Sequence, residues 1–289
     1  MQNSSPDPHQ QANNNPVMRP GVSEACLTRN GWRHVLAEEA DALVGCHHPG
    51  VLIPYFAYQN SRWEPVCDPE TKPYFRLRKA GVEGSGKYHQ PPNTAVHSYV
   101  PAELDRCSYN EVFGIGEGEA KALSISDFSQ GFSVPAAGTS GFYGYRVKKL
   151  EGDPNHLTAE CEWALNANKT PVIAFLGDAD TCCNWQFSDA AVGFRELVAG
   201  RKIILPRLPI GGPKGIDDCR QELGAGFEKF CRRILDDAIE LNVGMEADQL
   251  ALVLLERELP AISKLSADQK AVITHKIVKM AAVMSGEAR

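Results

Sequence analysis

The segment EVFGIGEGEAKALSISDF, residues 111–128, runs from an apolar strand pattern through glycines into a helix pattern. The same alternation continues along the chain. It predicts further strands at residues 131–138, 170–180 and 201–209, with helices at residues 157–168 and 188–200. Strands that alternate with helices indicate a parallel sheet covered on both faces. The sequence therefore predicts an α/β fold, in which ligands bind beyond the carboxyl ends of the strands.

The glycines of this segment do not fit a phosphate-binding loop. A dinucleotide loop has the spacing GxGxxG, and the two possible registers put Glu119 or Lys121 where the third glycine belongs. A P-loop is also excluded, because no Gly-Lys-Ser/Thr follows and Glu117 would point negative charge at a phosphate. A carboxylate here is compatible with a phosphate ligand only if a metal ion lies between them.

Acidic side chains follow two of the predicted strands. Glu117 ends the first strand, and Asp178 and Asp180 end another in the sequence LGDAD. Residues two apart in an extended segment point to the same side, so the two aspartates can face one site. Three carboxylates on one edge suit Mg²⁺ or Mn²⁺, whose shell is completed by water and substrate phosphate. The alternative is that Asp178 caps a helix or turn and that Glu117 merely favours a helix N-terminus.

A further acidic pair lies in GGPKGIDD, residues 211–218. One of Asp217 and Asp218 is expected to cap a helix that begins at Cys219. For the other, capping and metal ligation stay open, and Asp217 is taken as the fourth candidate metal ligand.

The chain on either side of this region has a different pattern. Residues 21–108 predict a smaller α+β subdomain, with short helices within residues 23–44 and antiparallel strands at residues 50–60 and 74–81. Residues 225–289 predict C-terminal helices with apolar stripes. Residues 1–20 are rich in Asn, Gln, Pro and Ser, which predicts a disordered tail.

Cationic and aromatic side chains near these acids are candidates to contact phosphates and bases. The alternative for the glycine- and proline-rich loop at residues 82–94 is a solvated loop. The candidate nucleotide- or nucleic-acid-binding residues are Arg76, Arg78, Lys87, Tyr88, Lys121 and Lys214.

Composition restricts the classes of function. The net charge of -6 argues against a surface that binds nucleic acid all round, although a local basic groove is compatible with it. No apolar run long enough to span a membrane and no signal peptide are expected, which points to the cytoplasm. No zinc is expected either, because Cys46-His47-His48 and Cys182-Cys183 have no second ligand pair at zinc spacing.

The acidic motifs resemble those of the Toprim domain of bacterial primases, topoisomerases and related nucleases. Glu117-Gly118 is similar to the family's Glu-Gly pair, and Asp178-Ala179-Asp180 is similar to its D-x-D motif. The order GVLIPY, GKYHQPP, GEGEAKAL, GDAD and KGIDD further resembles a primase-like family found in plasmid, phage and integrative-element proteins. This resemblance covers roughly residues 20–225 and implies a Toprim-like domain at residues 109–224.

The resemblance implies metal-dependent nucleotidyl transfer in the replication of a mobile genetic element. The catalytic and metal-binding residues would then be Glu117, Asp178 and Asp180. The implied partners are single-stranded nucleic acid and nucleoside triphosphates, with a helicase or another replication protein as a further candidate. A Toprim-type nuclease and a catalytically silent nucleic-acid-binding accessory are the alternatives. An α/β enzyme unrelated to nucleic acids also stays open, since the acidic net charge favours it.

Overall fold

The computed structural model describes residues 17–59, 62–67, 72–84, 86–102, 104–147, 155–198 and 200–287. Most of the expected tail, residues 1–16, lies outside these ranges. The last part of that segment belongs to the packed structure, because Val17 is buried and Arg19 lies 3.8 Å from Asp217. Any tail is therefore shorter than the predicted residues 1–20.

The N-terminal region is a small α+β arrangement, as predicted. Its strands β1, β2, β5 and β6 form an antiparallel sheet in that order, and β3 pairs antiparallel with β4. The predicted helical region contains β1 between its two helices, and the predicted strand at residues 50–60 is divided at Tyr55. The elements are α1 (Glu24–Arg29), β1 (Arg33–Val35), α2 (Ala37–Val44), β2 (Gly50–Pro54), β3 (Phe56–Gln59), β4 (Arg62–Pro65), β5 (Phe75–Lys79) and β6 (Tyr88–His89).

The central region is the predicted α/β sheet. Its strands have the order β13-β12-β11-β7-β8. The strands β12, β11, β7 and β8 are parallel, and the edge strand β13 pairs antiparallel with β12. The elements are β7 (Val112–Glu117), α3 (Glu119–Ser126), β8 (Ala136–Thr139), β9 (Arg146–Val147), β10 (His156–Leu157), α4 (Ala159–Asn168), β11 (Val172–Leu176), α5 (Trp185–Leu197), β12 (Lys202–Leu205) and β13 (Ile239–Glu240).

The register of this sheet aligns the carboxyl ends of three strands. Gly116 on β7 pairs with Leu176 on β11, and Glu117 pairs with Thr139 on β8. Gly118 then turns the chain into α3 with a φ of 95°, a left-handed conformation that side chains other than glycine rarely adopt. The Glu-Gly pair thus fixes Glu117 at the end of the strand, next to the loop that follows β11.

The predicted helical segment, residues 225–289, comprises α7 (Phe227–Asp236), α8 (Ala247–Ile262) and α9 (Ala267–Met284), and α6 (Ile216–Leu223) precedes it. It also contains β13, an unpredicted strand that pairs with β12. Helix α6 begins earlier than the predicted Cys219, because the Asp218 carboxylate accepts the Gly215 N–H at 3.0 Å and caps the helix there. Helices α8 and α9 contact α5 and the short 3-10 turn Thr181–Cys183. Within the described ranges, none of the helices has the length and apolarity required to cross a membrane.

The two faces of the central sheet carry separate hydrophobic cores. Successive strand residues point to opposite faces, so Ala174 joins one core and Phe175 the other. The first core also contains Trp32 and Tyr55 from the N-terminal region, together with α3, α6 and α7. The second core lies under α4, α5, α8 and α9. The site described next lies at the edge between these two layers.

Candidate active site

A cleft of about 550 Å³ separates the carboxyl edge of the central sheet from the strands β5 and β6. We call it the strand-edge cleft. Carboxylates from the sheet and basic side chains from both walls line it together, and all six residues predicted to contact nucleotide or nucleic acid are among them. Its charged or aromatic lining consists of Arg19, Arg76, Arg78, Glu83, Lys87, Tyr88, Glu117, Glu119, Lys121, Asp178, Lys214, Asp217 and Asp218.

Glu117 lies at the centre of this edge, on the strand between β8 and β11. Burial raises the pKa of its carboxyl group, Lys121 opposes that rise, and the nearby Asp178 adds to it. The charged form of Glu117 is therefore destabilised in the protein alone. A cationic ligand at this position would relieve that cost.

Asp178 faces the same cleft but is already accompanied by lysines. The Lys121 Nζ lies 2.5 Å from its Oδ1, and the Lys214 Nζ lies 3.6 Å from its Oδ2. Burial lowers the pKa of Lys121, but Asp178 and Glu117 outweigh this effect and raise it, so the ammonium group stays charged. The backbone holds this cluster together, because the Ala179 N–H donates to the Lys214 carbonyl oxygen at 2.9 Å.

Asp180 belongs to a second pocket of about 510 Å³ on the other side of Glu117 and Asp178. We call it the α9 pocket, because α9 forms its far wall. All three predicted catalytic carboxylates line it, and Asp180 forms an ion pair with Lys276 of α9. The complete lining is Glu117, Phe142, Asp178, Asp180, Cys183, Asn184, Trp185, Gln186, Lys214, Lys276, Lys279, Met280 and Val283.

The two aspartates of the segment GGPKGIDD have different surroundings. Asp218 caps α6, as described above, whereas Asp217 faces the strand-edge cleft 3.8 Å from Arg19. Burial raises the pKa of Asp217, and Lys121 opposes that rise. Asp217 is therefore the aspartate of this pair whose carboxylate does not cap the helix.

Arg76 reaches the strand-edge cleft, but its guanidinium is engaged in an internal contact. It forms a buried ion pair with Glu119, whose Oε1 also accepts the Tyr55 hydroxyl at 2.7 Å. The outer basic residues have looser contacts. Arg78 lies 3.6 Å from the exposed Glu83, and the Lys87 Nζ lies 5.7 Å from the centre of the Tyr88 ring. Arg78 and Lys87 are thus better placed than Arg76 to exchange their contacts for a phosphate.

The donor set determines how a divalent cation could be held. No group of three or more His, Cys, Asp or Glu side chains in the described ranges has the arrangement of a metal site. However, Oδ1 of Asp217 is buried and accepts no hydrogen bond from the described part of the chain, and the buried Oδ1 of Asp178 has the Lys121 ammonium group as its neighbour. These oxygens fit Mg²⁺ or Mn²⁺ held by one or two carboxylates together with substrate phosphates, and they do not fit a cage made of protein ligands alone. Asp178 would hold the cation, with Glu117 from the neighbouring strand as its second carboxylate and Asp217 as a further candidate ligand.

Sequence reasoning missed three cationic residues of these pockets. Arg19 fell within the expected tail, and Lys276 and Lys279 fell within a helix whose apolar stripe indicated core packing or a partner-docking face. The sole signal for Lys276 was its position three residues after Ile273, on the apolar side of α9. The pair Cys182-Cys183, also singled out in the sequence, is buried beside the α9 pocket with its sulfur atoms 3.5 Å apart.

Comparison with known proteins adds a distant structural likeness. No protein-family model and no curated protein matches the sequence. Among solved structures, the chain is similar to the zinc-binding and RNA polymerase domains of the Aquifex aeolicus primase, with a TM-score of 0.44 and 14% sequence identity. The alignment covers 89% of this chain and 64% of that primase chain, so this protein spans less than two thirds of its length.

Proposed function

We propose that this protein is an enzyme of nucleic-acid metabolism that carries out metal-dependent, primase-like nucleotidyl transfer. One observation carries the proposal: Glu117 and Asp178, from neighbouring parallel strands, share a cleft with a group of basic side chains. Carboxylates alone would repel a phosphate, and a site that bound phosphate through basic side chains alone would have no use for carboxylates. The combination suits a phosphate-bearing substrate that arrives with a divalent cation.

The remaining lining of the strand-edge cleft is compatible with a nucleic-acid strand. Arg78 and Lys87 can bind backbone phosphates, and once Lys87 leaves the Tyr88 ring for a phosphate, that ring offers a face on which a base can stack. These residues come from the antiparallel sheet, opposite the carboxylates. A strand bound there would lie with its reacting end toward Glu117 and Asp178.

In this mechanism the protein supplies position and charge. Glu117 and Asp178 would hold Mg²⁺ or Mn²⁺, and the ion would neutralise charge on the substrate phosphates. Lys214 and Lys121 balance the charge of Asp178 and can move to the phosphate oxygens of the substrate. The walls of the strand-edge cleft orient the attacking hydroxyl group relative to the phosphate, which accounts for much of the rate gain in such reactions.

The order of the sequence motifs extends the proposal to the protein family and to the kind of DNA element that is replicated. The Glu-Gly and D-x-D motifs support a Toprim-like domain at residues 109–224, and the upstream segments support a role in replicating a plasmid, phage or integrative element. The proposed partners are single-stranded nucleic acid, nucleoside triphosphates and a replication protein such as a helicase. The proposed compartment is the cytoplasm.

The proposal predicts that Asp178→Asn abolishes nucleotide incorporation. Single-stranded DNA is incubated with nucleoside triphosphates and Mn²⁺, and the products are separated by length. We expect longer products from the wild type and a rate of incorporation about 100-fold or more lower for the variant. Even a residue that only hydrogen-bonds to a metal ligand typically lowers activity about 10–100-fold when it is replaced.

The matched control is Asp41→Asn, an exposed aspartate on α2 that should leave incorporation unchanged. Normal incorporation by Asp178→Asn would contradict the proposal. Products shorter than the input DNA would instead identify the nuclease alternative, in which water is the nucleophile.

A second candidate function has its own observation. Lys121 and Lys276 already form ion pairs with Asp178 and Asp180, which favours a nucleic-acid-binding replication accessory without catalysis. Such a protein would bind single-stranded DNA in EDTA as tightly as in Mn²⁺. Binding would also survive the triple substitution of Glu117, Asp178 and Asp180 by their amides.

A further inference from the structure

We infer that the α9 pocket is the site of the incoming nucleoside triphosphate and that Lys276 and Lys279 of α9 bind its phosphates. This inference rests on the proposed function, because it places the nucleotide of that reaction. It assigns a nucleotide-binding role to the C-terminal helix, whose sequence indicates core packing or partner docking.

The position of Lys276 is unusual for a lysine on an amphipathic helix. Ile273 and Met280 are buried on the inner face of α9, and residues three, four and seven apart share one face of a helix. Lys276 lies between them on that face and directs its ammonium group at Asp180. The lysine ammonium group therefore lies in the pocket, where it can bind an anionic ligand as well as Asp180.

The charges of the α9 pocket match a triphosphate with its cation. Lys214, Lys276 and Lys279 line the pocket together with Glu117, Asp178 and Asp180, so cationic and anionic groups share one space. Lys279 lies one turn beyond Lys276, and its side chain is exposed. Phosphate oxygens would bind the lysines, and the carboxylates would face the cation that accompanies them.

The apolar wall of the same pocket suits the base of a nucleotide. Phe142 and Trp185 line it, and the Trp185 indole N–H donates to Asp248 at 2.5 Å, which fixes the orientation of the ring. Aromatic faces stack on bases regardless of base identity. Phe142 and Trp185 could thus bind the base of a nucleotide whatever its identity.

The size of the α9 pocket is compatible with a single nucleotide. Its volume of about 510 Å³ lies within the range of about 300–1,000 Å³ that is usual for small-molecule sites. Helix α9 closes it on the side away from the central sheet, whereas the strand-edge cleft lies toward the basic strands β5 and β6. The acids between the two pockets would then lie between a bound strand and the nucleotide to be joined to it.

Direct binding of ATP tests this inference. Titration calorimetry measures the affinity of ATP and of inorganic triphosphate for the full chain, each with Mg²⁺ and with EDTA. We expect Lys276→Gln and Lys279→Gln each to weaken both ligands about tenfold, and the double variant to weaken them further. Lys276→Met keeps the packing volume and should lose ATP affinity to the same extent while melting at the wild-type temperature.

Lys270→Gln is the matched control, because Lys270 is exposed on the same helix and does not line the pocket. It should bind ATP like the wild type. The lysine variants should also bind single-stranded DNA normally, whereas Arg78→Gln and Lys87→Gln should weaken DNA and spare ATP.

The outcomes separate this inference from the proposed function. Wild-type ATP affinity in the double variant, or no ATP binding by the wild-type protein, would overturn it. A loss of single-stranded DNA affinity in the lysine variants without a loss of ATP affinity would also overturn it, and would assign the pocket to a strand. ATP binding that depends on both lysines would support it even if no incorporation were detected, and in that case only the proposed function would fail.

Discussion

Glu117 combines a structural cost with a candidate role in binding. Its place at the end of β7, next to Gly118, follows from backbone geometry, but its carboxyl group is held where burial and Asp178 disfavour the charge. Natural proteins tolerate such costs mainly at functional sites, where replacing the residue raises stability and removes function. The two effects can be measured separately.

We predict that Glu117→Gln raises the stability of the protein near neutral pH. The folded-state pKa of Glu117 lies above its ordinary value. The folded protein therefore loses stability relative to the unfolded chain as the pH rises from the ordinary pKa through the folded-state pKa. The amide has no charge to bury. We expect a gain of about 0.5–2 kcal/mol at pH 7, which shrinks as the pH falls through the raised folded-state pKa and is absent below the ordinary carboxyl pKa of about 4.3.

Thermal melts of the two proteins across this pH range provide the measurement. Glu256→Gln, an exposed substitution on α8, is the control and should change the melting temperature little at any pH. A Glu117→Gln protein that melts below the wild type at pH 7 would show that Lys121 stabilises the carboxylate more than burial destabilises it.

At the scale of elements, one ion pair joins the antiparallel sheet to the first helix of the central region. Arg76 on β5 and Glu119 on α3 have only 12% and 2% of their side chains exposed. The Tyr55 hydroxyl completes the contact by donating to Glu119. This contact fixes the wall that carries Arg78 relative to the edge that carries Glu117, and so sets the width of the strand-edge cleft.

Removing one member of this pair should destabilise the fold strongly. Arg76→Met leaves the Glu119 charge buried without compensation, and breaking a buried pair in this way typically costs about 3–5 kcal/mol. Urea denaturation measures the loss. Adding Glu119→Gln to the same chain removes the uncompensated charge and should recover a large part of the stability. A loss below about 1 kcal/mol for Arg76→Met, the level of a surface pair, would contradict the burial of this contact.

The elements themselves were predictable from local patterns, and their mutual contacts were not. The alternation around EVFGIGEGEAKAL and VIAFLGDAD yields β7, α3 and β11 because strand and helix periods depend on neighbouring residues alone. The short strand β1 escaped prediction, since its three residues are ordered by pairing with β2. The same holds for the early start of α6, which depends on the Asp218 cap.

The candidate site was predictable only for residues at strand ends. Parallel strands share a carboxyl edge, so the positions of Glu117 and Asp178 followed from the strand pattern. Lys276 pairs with Asp180 across 96 positions of the chain, and no local pattern signals such a contact. The ion pair between Arg76 and Glu119 could not be predicted for the same reason.

At the scale of the whole molecule, the first hydrophobic core crosses every boundary that composition suggested. It contains Trp32 and Tyr55 from the N-terminal region, Leu123 and Ile204 from the central region, and Phe230 from the C-terminal helices. Regions that share a core cannot unfold separately without exposing it. The three sequence regions are therefore expected to behave as one cooperative unit, although 289 residues is long enough for two domains.

Replacing Leu123 tests this cooperativity, because Leu123 is fully buried on α3 in the core that the central sheet and the N-terminal region share. In urea, far-UV and near-UV circular dichroism of the wild type should follow one transition with one midpoint. Leu123→Ala should lower stability by about 2–5 kcal/mol, as large-to-small core substitutions do, and should shift both midpoints together. If the regions were independent domains, the substitution would move one transition and leave another in place. A second, unshifted transition would thus restrict the shared core to packing between separately folding parts, and the strand-edge cleft between them would then be able to open.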